Sequence, residues 1–262
     1  MLHPVPRQRV FEARYERGYR YLDRCGDALL ILEDMLSENT RCVWLPEEAT
    51  PTGARLMCPD LDTYVVFNAS SLIIDQQVIG EAHFDFAAVA TTAFSTVVGR
   101  FDLQKMRRFG FRRMLIVPGA SDSIDDADAL SLKLSPLKEW LNNVEPEFVT
   151  RSYEQASVFE TKDRSKGLRV YTKPYTKAAT ELHVDDRLKI PPHHLPAKQR
   201  EALVAQMRRR LAREKDPEAG VLIDIDYYWM WPPKETNVKD FIESGMRASQ
   251  QALTKLDRGT GP

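Results

Sequence analysis

Two aspartates, Asp224 and Asp226, stand two residues apart in the run Gly220-Val-Leu-Ile-Asp-Ile-Asp-Tyr-Tyr-Trp-Met-Trp231. Read as a strand, this run turns Val221, Ile223, Ile225, Tyr227, Trp229 and Trp231 to one face, and Leu222, Asp224, Asp226, Tyr228 and Met230 to the other. A rise of about 3.3 Å per residue then sets the carboxylates about 7 Å apart beside a phenol. Such a pair can hold a divalent ion or divide the work of general acid and general base. It can equally meet Arg or Lys across a sheet, or face water. His183 and Asp185, also at period two, are the natural additions to a metal-dependent hydrolytic site, with His193 and His194 shortly after. A metal site needs three or four converging ligands with further support behind them, and the five histidines show no repeated spacing. No metal and no cofactor are therefore assigned, and these four residues stand as the candidate catalytic set.

The strongest local charge is Lys105-Met-Arg-Arg-Phe-Gly-Phe-Arg-Arg113. Arg107, Phe109, Gly110 and Phe111 agree with an aromatic RNA-binding strand motif, while Arg108, Arg112 and Met114 do not. In that motif the aromatics stack on bases. The alternative is that Phe109 and Phe111 pack on a helix while Arg107, Arg108, Arg112 and Arg113 are solvated. A second basic surface is expected on a helix from Lys198 to Lys215, carrying Arg208, Arg209, Arg210 and Arg213 opposite a narrow stripe of Leu203, Val204, Met207 and Leu211. Together the two patches keep nucleic acid, or an acidic protein, as a partner. Against them, 37 Lys plus Arg and 38 Asp plus Glu leave a net charge of -1, so no global field draws the chain to polyanions.

Sharper signatures are missing. There is no G-x-x-x-x-G-K-[ST], no G-x-G-x-x-G, no G-x-S-x-G and no H-E-x-x-H. Asp122 to Lys133 resembles a calcium loop, but Ala127 stands where the turn needs Gly and Lys133 where a bidentate Glu belongs, so it reads as a helix start. Cys25, Cys42 and Cys58 are odd in number and lack C-x-x-C spacing, which suits reduced thiols. No apolar run approaches the ~18 residues of a membrane span, and prolines interrupt the first residues, so a cytoplasmic protein without a membrane partner is expected.

The elements that must position these residues follow from periodicity. Arg9 to Arg17 alternates imperfectly and suggests an edge strand. Leu22, Cys25, Leu29, Leu32 and Leu36 share one face of a helix. Glu47 to Gly53 reads as a loop, and Ala54–Cys58 and Thr63–Phe67 form a hairpin around Pro59-Asp60, whose second arm Ser71–Ile79 extends or follows. Phe84, Ala87, Thr91, Phe94, Val98 and Phe101 mark a long helix before a strand at Phe109–Pro118. That order, β-α-β-β-α-β, is the ferredoxin-like one. A connecting helix opens at Ser121 and runs to about Asn142; then come strands at Val149–Thr161, Gly167–Thr176 and Glu181–Ile190, the basic helix, the aspartate strand and a last helix, Val238–Leu256. Hairpin, helix and closing strand occur twice, with Gly110 and Gly220 opening the closing strands, which suggests a duplicated unit. The divisions expected are an N-terminal α+β half at 1–120, a connecting helix at 121–146 and a C-terminal α+β half at 147–262.

Arg108-Phe-Gly-Phe-Arg-Arg-Met-Leu-Ile116, and Val221-Leu-Ile-Asp-Ile-Asp226 before a terminal helix, make the chain similar to an uncharacterised, sporadically distributed bacterial family of about this length. The resemblance implies two related α+β halves and no established activity, and the family's scattered occurrence suggests an accessory or defence-type role. The expectation is an α+β protein of two related sheet-plus-helix halves that acts as a non-catalytic binding or regulatory module for a protein partner. A nucleic-acid binder and a metal-dependent hydrolase are the alternatives, and self-association into a homo-oligomer is a further arrangement to test.

Overall fold

The computed structural model describes residues 2–77, 85–121, 123–134, 154–177 and 217–259. Along the chain these form β1 (Val5–Tyr15), α1 (Tyr21–Thr40), β2 (Leu45–Thr50), β3 (Gly53–Cys58), β4 (Thr63–Phe67), β5 (Ser71–Gln77), α2 (Phe86–Phe101), β6 (Met106–Pro118), α3 (Ile124–Lys133), β7 (Gln155–Glu160), β8 (Lys166–Thr176), β9 (Ala219–Met230) and α4 (Val238–Gly259). The fold is mixed α+β. All nine described strands join one sheet in the order β2-β3-β4-β5-β1-β6-β9-β8-β7, and every neighbouring pair is antiparallel.

One face of this sheet carries the helices. Phe11, Ala13, Tyr15, Phe109 and Phe111 are sealed against Leu32 and Leu36 of α1, Ala93 and Val97 of α2, and Phe241 of α4. A second cluster joins Leu115, Val117, Val221, Ile223 and Ile225 to Leu134, just past α3, and to Ala252 and Leu253 of α4. Phe11, Phe94, Phe109 and Phe241 meet edge to face at centroid distances of 5.1–6.4 Å, the geometry their quadrupoles favour. Period-two alternation thus delivers the apolar side chains of β1, β6 and β9 to a single layer, and turns Glu12, Arg108, Arg112, Asp224 and Asp226 to the opposite face.

Several expectations are corrected. β1 is not an edge strand: it pairs with β5 on one side and β6 on the other, since Phe11, Ala13 and Tyr15 give it a fully buried face. Four strands rather than two separate α1 from α2, because Leu45–Thr50, which overlaps the expected loop, pairs with β3, and Ser71–Gln77 is a strand of its own that pairs with β4. A split β-α-β unit would set its first strand parallel to a neighbour, whereas β1 is antiparallel to both of its own. Gly110 sits in the middle of β6 opposite Tyr228, while Gly220 sits at the start of β9 opposite Pro118, so the two glycines hold different places. Leu22 is 60% exposed; α1 buries Tyr21, Ala28, Leu29, Leu32 and Leu36 instead. Trp231 lies just past β9 with φ 53°, a left-handed turn that leaves its ring 59% exposed. The halves share one sheet: β6 and β9 pair over eleven positions, from Arg108↔Met230 to Pro118↔Gly220. Ser123 caps α3 by accepting from the Asp126 amide, as a helix start demands.

Candidate functional site

On the face away from the helices, β1, β6, β9 and β8 line an open depression of about 370 Å³. Its walls are Val10, Glu12, Arg108, Gly110, Arg112, Arg169, Tyr171, Asp224 and Asp226. The register explains how they meet. Glu12, Gly110, Tyr228, Gly167 and Glu160 form one row across five strands, and Val10, Arg112, Asp226, Arg169 and Val158 form the next.

Charge pairs in this groove run diagonally rather than straight across. Arg112 stands opposite Asp226, yet it grips Asp224 with two parallel hydrogen bonds, Nε to Oδ1 at 2.7 Å and Nη2 to Oδ2. Arg108 leans along its strand over Gly110 and donates from Nη2 to Asp226 Oδ1 and Oδ2 at 2.9 and 2.6 Å, while its Nη1 donates to Glu12. Glu12 also accepts from Arg14 Nε at 2.8 Å. The path requires glycine: a Cβ at residue 110 would lie 2.3 Å from Arg108 Nη1. Gly167 does the same for the Tyr228 ring, 2.3 Å from such a Cβ, and the phenol donates to Glu160 Oε1 at 2.6 Å. The Arg108 guanidinium lies 5.5 Å from the Tyr228 ring centroid, within cation-π range.

Electrostatics follow from burial and pairing. The Asp226 carboxyl is held above the ordinary aspartate range because burial outweighs the attraction of Arg108, which Glu12 shares, and because Asp224 adds like charge. The hydrogen bond to Glu154, with burial behind it, pushes the Tyr171 phenol up to about 12; burial, with Glu160, does the same for Tyr228. Neither phenol ionises near neutrality. Asp224 and Asp226 thus stand at the centre of the groove, facing arginines.

The basic run from Lys105 to Arg113 does not make one patch. Arg108 and Arg112 point into the groove and are bound to carboxylates. Arg107, at the start of β6, meets Glu16 at 3.4 Å and lies over Trp231. Arg113 falls on the helix side, opposite Arg9. Phe109 and Phe111 are fully buried, so base stacking by these rings is corrected to core packing. His183, Asp185, Arg208, Arg209, Arg210 and Arg213, with the strand at Glu181–Ile190 and the basic helix, lie outside the described residues. Among the described residues no three His, Cys, Asp or Glu side chains gather as metal ligands.

Glu12, Arg169 and Tyr171 line the groove, and Glu160 beside it holds Tyr228; sequence reasoning missed all four. One signal was there: Arg108, Gly110 and Arg112 at period two share a face, and that face is the one left to Asp224 and Asp226 once the aliphatic side of β9 is buried. Comparison with family models and with curated protein sequences finds no match to this chain.

Proposed function

We propose that the chain is a non-catalytic recognition module that docks a protein partner on the open face of its sheet. The observation that carries this reading is the charge balance of the groove. Arg108, Arg112 and Arg169 face Glu12, Asp224 and Asp226, three cations against three anions, and each of those carboxylates already accepts hydrogen bonds from arginine. A general base or a metal ligand works best with uncompensated negative charge, and here Arg112 grips Asp224 through two nitrogens while Arg108 Nη2 donates to both oxygens of Asp226. A neutral groove likewise gives little attraction for a phosphate backbone, whose affinity rests on uncompensated cations. What the face does offer is exposed Arg169 beside Tyr171, with Tyr228 on the next row; arginine and tyrosine are residue types that dominate protein interfaces.

The same reading takes the chain as cytoplasmic, as two related sheet-plus-helix halves, and, following the family resemblance, as an accessory or defence-type component. Among the described residues no helix is long and apolar enough to cross a membrane.

The test places a photo-crosslinking amino acid at Tyr171 and, as control, at exposed Leu30 on α1, in the full chain inside its native cells. A discrete protein adduct from position 171 is expected, absent from position 30 and lost on Arg169→Glu. An adduct to a second copy of the chain would assign the face to self-association, and an adduct to RNA or DNA would favour the nucleic-acid alternative. Equal labelling from both positions, or none from position 171, sinks the proposal.

A further inference from the structure

On the helix side of the sheet, Arg9 of β1 and Arg113 of β6 stand directly opposite each other in register. Like charges in that position repel, and a folded chain ordinarily separates them or sets a carboxylate between them. Among the described residues neither happens here. No described side chain forms an ion pair or hydrogen bond with either guanidinium; Arg9 stacks over Phe86 at 5.6 Å, and its Nε–H is shut off from solvent without an acceptor. On the other side of Arg9 in the same row lies Gln76, 2% exposed, whose Oε1 is also without a donor. Burial lowers the pKa of both arginines, and among the described residues the like charge of Arg9 lowers that of Arg113 further. Buried polar atoms are nearly always satisfied, so an orphaned Nε within this pair of facing arginines and an orphaned Oε1 beside it mark a place built for something else.

We propose that Arg9 and Arg113 form an anion site for a phosphate dianion, free or as the head of a phosphate monoester. Two guanidinium groups on adjacent, paired strands each carry several N–H donors, and a tetrahedral oxyanion has enough oxygens to meet both. Its charge near -2 at neutral pH balances both arginines, where a single carboxylate would leave one uncompensated. The protonated oxygen of inorganic phosphate supplies the donor that Gln76 Oε1 lacks. Both arginines are half-exposed, which leaves the ligand a way in. This site lies on the opposite side of the sheet from the docking groove and does not rest on the reading of that groove.

Thermal unfolding and titration calorimetry on the full chain test it, with inorganic phosphate and glycerol 1-phosphate compared against sodium chloride at equal ionic strength. Wild type is expected to gain a saturable rise in Tm with a matching binding heat. Arg113→Gln should abolish both and, without phosphate, melt higher than wild type, because the like-charge contact is gone. Arg9→Gln serves in the same way should the first variant fail to fold. A response to inorganic phosphate alone identifies the free ion; a response to both identifies a monoester head. No saturable response in wild type, or an undiminished one in a folded variant, overturns the site.

Discussion

At the scale of single residues, the groove depends on what Gly110 leaves empty. Gly110→Ala would push the Arg108 guanidinium off its path and break its bonds to Asp226 and Glu12. Losing hydrogen bonds between charged groups at a half-buried site costs about 1–3 kcal/mol, so urea unfolding should show a loss of that size. Gly26→Ala is the control. Nothing lies within 4 Å of its Cβ in the exposed middle of α1, and it should gain about 0.5–1 kcal/mol. Asp226 makes a pH-dependent prediction. Its folded pKa is raised, so the folded state holds the proton better; the associated stability is full below the ordinary aspartate range and falls as pH rises through the raised value. Unfolding free energy measured across mildly acidic pH should carry a downward slope in wild type that is smaller in Asp226→Asn. Cys58 completes this scale: burial pushes its thiol up to about 12, so at pH 8 a thiol reagent should modify half-exposed Cys25 and Cys42 and reach Cys58 only after denaturant.

At the scale of elements, α4 shows how a helix and a strand pair are fitted to each other. A Cβ at Gly245 would lie 2.7 Å from Phe111 Cδ1 and 3.1 Å from Tyr227 Cδ1. The glycine lets α4 seat Phe241 among Phe11, Phe109, Tyr227 and Trp229. Helix propensity alone would favour alanine by about 1 kcal/mol, but forcing a methyl onto two packed rings costs about 1–3 kcal/mol. Gly245→Ala should therefore destabilise while Gly26→Ala stabilises, a difference of sign that chemical denaturation reads directly. The periodicities that give β6, β9 and α4 their faces were legible in the sequence. The glycine contact was not, because nothing in the pattern of α4 says which ring lies beneath residue 245. The same limit applies to α1, where Leu22 has the spacing of a core residue but stays exposed while Leu29, Leu32 and Leu36 are buried.

At the scale of the molecule, the β6/β9 seam binds the two halves into one sheet, and α4 packs on both apolar clusters, touching Phe109 through Phe241 and Ile223's cluster through Leu253. Heating should then give one cooperative calorimetric transition with equal calorimetric and van't Hoff enthalpies; two resolved transitions would show that the seam does not couple the halves. What the sequence determined by itself is the alternation: hydrophobic period fixes which side chains of each strand and helix must leave water, and so it fixed the α+β class, the buried face of Val221, Ile223 and Ile225, and the exposure of Asp224 and Asp226 to the other side. Tertiary structure alone decided the neighbours. Strand order and register depend on contacts between residues distant in the chain, such as Arg108 and Asp226, 118 positions apart, and no local pattern encodes them. That is why one basic run was divided between two faces of the sheet, with Arg108 and Arg112 given to carboxylates and Arg113 set against Arg9.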